Sequence, residues 1–177
     1  MTQWRSTTIL AVRRDDRLAV AGDGQVTLNN TVVKQHARKV RRIYHDRIIV
    51  GFAGATADAL NLSERLEGKL ERFNGSLMRA AVELAREWRS DKYLRRLEAL
   101  MIAADKEKML LISGSGDVIE PDGAVLAIGS GAVAAQAAAV ALLGHTPLDA
   151  RAVVEASMEI AAGICVFTNF NVSIEEM

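Results

Sequence analysis

Cysteine, aromatic residues and net charge are what this chain has least of, and each shortage excludes something. The single cysteine, Cys165, has no partner for an intrachain disulfide, and with three histidines no Cys/His cluster has the spacing of a zinc site. A disulfide-built secreted scaffold is thereby excluded, and a reducing compartment fits. Aromatics make up 5% of the residues, and the basic run Arg38-Lys39-Val40-Arg41-Arg42 has no aromatics interleaved as base stacking requires. Lys plus Arg and Asp plus Glu balance at 22 each, so no global field draws the chain to nucleic acid or to an anionic membrane. No unbroken apolar stretch of about 18 residues appears, so a membrane span is not expected. No apolar run precedes Thr7 as a secretory signal would. A cytoplasmic location, with no membrane and no nucleic-acid partner, is expected.

A phosphate loop is missing too. Gly68-Lys69 is followed by Leu70 and not by Ser or Thr, so the chain has no evident means of binding ATP. There is no linker, low-complexity tract or repeat of fixed period. What remains is a 177-residue chain, half hydrophobic and a quarter charged, suited to one domain that buries most of its apolar surface.

Periodicity orders that domain. Thr7 to Val12 is β-branched and apolar, Asp15-Asp16 turns the chain, and Arg17 to Ala21 reads as the return strand of a hairpin. Lys39 to Tyr44 and Arg47 to Ala53 form another pair, turning at His45-Asp46. From Thr56 to Arg72 the apolar residues fall at helical spacing. Asn74-Gly75 ends that element, Ser76 is placed to cap the next, and a second helix is expected over 77–92. Strand signals return at Ala99 to Ala104, Met109 to Ser113, Val118-Ile119 and Val125 to Ile128. An alanine-rich helix then runs to Leu143, with Gly144 as its stop. Pro147 lies near the start of a further helix to about Ala162, and Val166 to Ile174 reads as a closing strand. Pairs of helices separated by sheet segments predict a layered α/β domain, helices outside and sheets inside.

Several short segments carry candidate chemistry. Thr7 opens a strand. Taken alone it is ordinary strand material, but if the chain is cut before it, one residue holds both a hydroxyl and an α-amine. That amine has a pKa of about 8 and can serve as the base that an unactivated hydroxyl lacks. Ala21-Gly22-Asp23-Gly24-Gln25 reads as a turn after a strand, Arg38-Lys39-Val40-Arg41-Arg42 as a solvated basic strand, and Gly51-Phe52-Ala53-Gly54 as a glycine-rich turn. Gly129-Ser130-Gly131 reads as an anion nest or a helix cap. It is not the Gly-x-Ser-x-Gly elbow of esterases, because the glycines flank the serine directly.

In this order and spacing, the segments Thr-Thr-Ile-Leu-Ala-Val-Arg-Arg, Ala-Gly-Asp-Gly-Gln-Val-Thr, Lys-Val-Arg-Arg-Ile-Tyr, Gly-Phe-Ala-Gly-Ala-Thr-Ala-Asp, Ala-Ile-Gly-Ser-Gly and Ile-Cys-Val-Phe-Thr-Asn closely resemble the HslV (ClpQ) family, the bacterial relatives of proteasome β subunits. The resemblance runs from Thr7 to the C-terminus. It implies an αββα sandwich of the N-terminal-nucleophile type, with residues 1–6 a short propeptide removed by self-cleavage and residues 7–177 the peptidase domain. It implies Thr7 as the nucleophile of a threonine-type endopeptidase, and Asp23 and Lys39 as its acidic and basic partners. Ser130 would stand beside the threonine amine, and Gly51 would aim a backbone N–H at the oxyanion. Ser6 stands where the family usually has glycine, which bears on the rate of processing and not on its place.

The resemblance further implies a monovalent cation, usually sodium, on carbonyls at Ala162, Cys165 and Thr168. Ala162 replaces a usual glycine, a change that leaves the carbonyl in place. The implied assembly is two stacked six-membered rings served by an HslU-type ATPase ring that delivers unfolded substrates. Alternatives of other kinds are a catalytically silent ring or scaffold subunit, another N-terminal-nucleophile amidase acting on small amides, and a nucleic-acid binder using the Lys34 to Arg47 stretch. The Thr7, Asp23, Lys39, Ser130 set argues against the first, since a scaffold has no need of all four; a monomer or dimer cleaving only small amides would favour the second; and the third predicts steeply salt-dependent DNA binding.

Overall fold

The structure is a computed structural model and describes residues 4–5, 7–54, 56–92, 94 and 99–177. In chain order the strands and helices are β1 (Trp4–Arg5), β2 (Thr8–Arg14), β3 (Arg17–Asp23), β4 (Val26–Leu28), β5 (Thr31–Lys34), β6 (Val40–Ile43), β7 (Ile48–Ala53), α1 (Thr56–Arg72), α2 (Leu77–Ser90), β8 (Leu100–Ala104), β9 (Met109–Ser113), β10 (Val118–Ile119), β11 (Val125–Gly129), α3 (Ala132–His145), α4 (Ala150–Ile164) and β12 (Val172–Glu176). Among the described residues no helix is long and apolar enough to cross a membrane.

Two antiparallel sheets form the middle of the molecule. One has the order β10-β9-β8-β7-β6 and the other β11-β2-β3-β12, and a small β1-β4-β5 sheet lies apart. Alternation along each strand sorts side chains between layers. In β2, Ile9 and Ala11 point into the core between the sheets, while Leu10 and Val12 point toward α3 and α4. β3 does the same with Leu18 and Val20 against Ala19 and Ala21. In β7, Val50 and Phe52 face α1 and α2, and Ile49 faces the other sheet. Three stacked cores therefore separate four layers, helix pair, sheet, sheet, helix pair, which is the αββα sandwich expected.

The helices bury what their spacing promises. Leu62, Leu66 and Leu70 recur every fourth residue of α1 and are fully buried, each contributing about 1.5–3 kcal/mol of apolar burial. In α2, Trp88 is fully buried and its indole N–H donates to the Leu94 carbonyl at 3.0 Å. α1 and α2 are also tied by Arg65 and Lys69, which both bind the Glu87 carboxylate.

Several boundaries differ from those expected. α3 runs through Gly144 to His145 instead of stopping at the glycine. Thr146 ends it, its N–H and hydroxyl both donating to the Leu142 carbonyl, and Pro147 disfavours helix at the residue before it. α4 begins later than the proline, at Ala150, where the Asp149 carboxylate accepts the Ala152 N–H. Ser76 occupies the N-cap of α2, but its side chain makes no capping bond. The closing strand is only Val172–Glu176. Val166 and Phe170, apolar enough to suggest strand, instead stand exposed in the connection before it. The short strands β4 and β5 are not among the expected elements, although Val26-Thr27-Leu28 and Thr31-Val32-Val33 are runs rich in β-branched residues flanking Asn29-Asn30; β5 is exposed at every position.

Candidate functional site

The candidate residues come from six places in the sequence and converge at one end of the β11-β2-β3-β12 sheet. β2 and β3 pair with Ile9 opposite Gly22, which puts Asp23, at the end of β3, beside the start of β2. The Thr8 N–H donates to Asp23 Oδ1 at 2.7 Å. β11 flanks β2 on the other side with Gly129 opposite Thr8, so the Gly129-Ser130-Gly131 turn lies against Thr7 and Thr8. The Ser130 N–H donates to the Thr7 carbonyl at 2.8 Å. Thr7 itself is buried, at 4% exposure.

Lys39 reaches this end from the segment just before β6. That segment folds back over Gly24, where the Ala37 N–H donates to the Gly24 carbonyl and a β-carbon would lie 2.3 Å from the Gln35 carbonyl oxygen. Glycine is needed there for the crossing. Lys39 Nζ then donates to Asp23 Oδ1 at 2.9 Å and to the Gln25 carbonyl at 2.5 Å. Asp23 is fully buried and receives a third donor, the Gln25 N–H, on Oδ2 at 2.9 Å. The pair is thus a buried carboxylate and ammonium, each with further hydrogen bonds, the condition under which such a pair is tolerated. Burial pulls the Lys39 ammonium below the ordinary lysine value, against the opposing pull of the Asp23 carboxylate. A lysine held this way is a positive charge of reduced proton affinity beside the strand that carries Thr7.

Gly51 sits on β7 opposite Val40 and is buried. A β-carbon there would lie 2.6 Å from Ile9 Cγ2, so the missing side chain lets β7 pack against β2 two residues from Thr7. Gly129 is constrained more tightly. Its φ is +97° and a β-carbon would fall 1.9 Å from the Thr7 carbonyl oxygen. Of the two sequence readings of this turn, the helix cap is realised: Gly131 is the N-cap of α3.

Ala162 lies in the last turn of α4, Cys165 is its C-cap, and Thr168 follows in the next turn. Carbonyls in the last turn of a helix have no helical donor, and that end of a helix is the negative end of its dipole. The Cys165 carbonyl accepts the Thr168 N–H at 3.0 Å and keeps a second lone pair. Uncharged oxygen donors at a helix C-terminus fit an alkali cation. The segment touches the rest of the site, since Thr168 Oγ1 lies 2.7 Å from Thr8 Oγ1.

Two contributors escape the sequence reading. Gln25 serves Asp23 with its N–H and Lys39 with its carbonyl, and its Nε2 donates to Thr27 Oγ1 and the Val166 carbonyl. Asn169 Oδ1 accepts the Gly24 N–H, and its Nδ2 donates to the Gln35 carbonyl. Both lie inside segments singled out for other residues, but the contacts that tie them to Lys39, Val166, Gly24 and Gln35 span 14 to 145 positions of sequence. Of the expected propeptide, Trp4 and Arg5 pair as β1 with Leu28 and Thr27 of β4; residues 1–3 and Ser6 lie outside the described residues.

An αββα sandwich whose first long strand begins at a threonine flanked by Asp23, Lys39 and the Ser130 turn defines the N-terminal-nucleophile fold class. A family model described as proteasome subunit matches residues 4–177. The chain is 60% identical over 173 residues to the ATP-dependent protease subunit HslV of Aquifex aeolicus (strain VF5), covering 98% of each. It is 60% identical over 177 residues to the same-named subunit of Sulfurihydrogenibium sp. (strain YO3AOP1), covering 100% of this chain and 99% of that one. Among solved structures, the eukaryotic HslV of Trypanosoma brucei superposes with a TM-score of 0.91 at 48% identity, over 96% of this chain and 98% of that one. The chain belongs to the proteasome subunit family, within its HslV group.

Proposed function

We propose that this chain is the peptidase subunit of an ATP-dependent protease, and that Thr7 becomes its nucleophile once residues 1–6 are removed. The observation that carries the reading is the convergence on the start of β2: the Ser130 N–H on the Thr7 carbonyl, and the buried Asp23–Lys39 pair on the Thr8 N–H.

Cleavage of the bond between Ser6 and Thr7 frees the Thr7 α-amine. The neutral amine takes the Thr7 hydroxyl proton as Oγ attacks the carbonyl carbon of a peptide bond. The oxygen of the resulting tetrahedral species carries the negative charge, and a backbone N–H at Gly51 is assigned to stabilise it. The carbon–nitrogen bond then breaks, the leaving amine receives the proton, and an ester on Thr7 remains. Water attacks the ester, releases the new carboxylic acid and returns the hydroxyl. Lys39, charged, favours the neutral amine and the developing alkoxide. Asp23 holds the lysine in place, and Ser130 stands where it can pass the proton.

A sodium ion is assigned to the carbonyls of Ala162, Cys165 and Thr168, where it would supply a fixed charge bracing the turn after α4. ATP hydrolysis is assigned to a separate HslU-type ATPase ring, because this chain has no phosphate loop. The working form is two stacked hexameric rings with the threonines inside. In support, α3 is apolar apart from Gln136 and His145, a pattern that belongs to a covered helix. Yet Val133 and Val140 are 84% and 55% exposed on it, and Ile164 at the end of α4 is 68% exposed.

The test is Thr7→Ala in the full chain, with intact mass of the wild type measured alongside. Wild type beginning at Thr7 with peptidase activity, and an assembled Thr7→Ala protein with none, is the expected result. Full activity in Thr7→Ala would overturn the assignment.

A further inference from the structure

Thr8 is the second residue of the Thr-Thr pair, and its side chain has no part in the chemistry above. It is nevertheless fully buried and wholly engaged. Its Oγ1 accepts the Gly131 N–H at 2.9 Å and lies 2.7 Å from Thr168 Oγ1. A hydroxyl has one proton and two lone pairs, so it satisfies both neighbours at once. The space is closed around these contacts: a β-carbon on Gly131 would lie 2.5 Å from Thr8 Oγ1 and 2.7 Å from Thr168 Oγ1.

The consequence falls on Ser130. Its side chain is exposed, so packing does not hold it, and its backbone is tied on both sides. Its own N–H donates to the Thr7 carbonyl, and the next N–H, that of Gly131, donates to the Thr8 hydroxyl. The same hydroxyl reaches Thr168, in the segment assigned to the cation, while the Thr8 N–H reaches Asp23. One residue therefore joins three parts of the site that come from distant stretches of chain.

We infer that Thr8 is a positioning residue for the peptidase reaction, its hydroxyl holding the Ser130–Gly131 turn and the Thr168 turn in register with Thr7. The inference rests on the reading of Thr7 as nucleophile. Thr8→Val keeps the shape and removes the hydroxyl, leaving the Gly131 N–H and the Thr168 hydroxyl without this partner. Thr8→Ser keeps the hydroxyl.

The experiment measures kcat and KM for a fluorogenic peptide on the assembled full chain with the HslU-type ATPase present, for wild type, Thr8→Val, Thr8→Ser and Thr7→Ala. Displacements near 1 Å can cost up to about 100-fold. Thr8→Val is therefore expected to lose about tenfold or more in kcat with KM within about twofold, and Thr8→Ser to regain most of the rate. Wild-type kcat in Thr8→Val, or equal losses in the valine and serine variants, would overturn the role of the hydroxyl. If Thr8→Val does not assemble, Thr8→Cys replaces it, because a thiol is a weak hydrogen-bonding group of similar size. A reduced kcat then supports the inference and a full kcat refutes it. Full activity in Thr7→Ala would instead remove the underlying reading, so the two failures are distinguishable.

Discussion

Replacing Asp23 by asparagine removes the negative charge paired with Lys39 in a buried place, and the size of the effect follows from what Lys39 can then do. Asp23 is fully buried and accepts from the Thr8 N–H, the Gln25 N–H and Lys39 Nζ. Breaking a buried ion pair on one side typically costs about 3–5 kcal/mol. Lys39 has an escape, however, since it can fold without its proton. Removing the proton from an ordinary lysine, with a pKa of about 10.4, costs about 4.6 kcal/mol at pH 7. That sets an upper bound on the charge part of the loss.

The sign with pH follows. Burial already pulls Lys39 below its ordinary value, and Asp23 is the group that raises it. In Asp23→Asn the depression deepens. A lysine depressed in the folded state costs stability wherever it stays charged in the unfolded chain. That cost shrinks as pH rises from the folded pKa toward the unfolded one, by up to about 1.4 kcal/mol per pH unit. Urea unfolding of wild type and variant at pH 7, 8 and 9, at one protein concentration because assembly adds to apparent stability, is expected to show a loss of several kcal/mol that narrows with pH. A difference that is flat with pH, or under about 1 kcal/mol at pH 7, would refute the account of Asp23 as the counter-charge of Lys39.

Gly129→Ala is expected to destabilise the chain by more than about 2 kcal/mol in thermal or urea unfolding, because φ is +97° and the added carbon meets the Thr7 carbonyl at 1.9 Å. Ser157→Ala is expected to be neutral or stabilising by up to about 1 kcal/mol, since among the described residues Ser157 Oγ is buried without a partner; a loss of stability would point to a bonded hydroxyl. Glu87→Gln is expected to cost about 1 kcal/mol at neutral pH. Hydrogen bonding from Lys69, followed by the pull of Arg65, holds the Glu87 carboxyl below its usual range. Its contribution is therefore complete above the ordinary glutamate pKa of about 4.3 and lost as pH falls through the lowered one, so the two proteins should converge in acid unfolding.

The elements with strong internal repeats are legible in the amino-acid sequence alone. The four-residue leucine spacing marks α1 as a helix and Asn74-Gly75 marks its end, and Asp15-Asp16 between apolar runs marks the β2–β3 hairpin. Such patterns are local: a few residues dictate them, and burial of the patterned face only confirms them. The closing strand and the end of α3 are not legible in this way, for the converse reason. Val166 and Phe170 are apolar yet exposed in this chain, and Gly144 is tolerated in the helix because the chain ends α3 at Thr146-Pro147 instead.

The candidate site divides the same way. Thr7, Asp23, Lys39, Gly51 and Ser130 can be picked out because their order and surroundings match a family pattern. Ordering alone says nothing of how a buried carboxylate finds its donors, and that is decided in three dimensions. The β2–β3 register brings Asp23 to the Thr8 N–H. The crossing over Gly24 returns Lys39 to Asp23 and Gln25, and β11 presents Ser130 to the Thr7 carbonyl. Thr8 shows the limit most plainly: in sequence it is an ordinary β-branched residue at the head of a strand. Its hydroxyl acquires a role only because β11, α3 and the turn after α4, drawn from stretches more than a hundred residues away, pack around it and leave their polar groups no water to turn to.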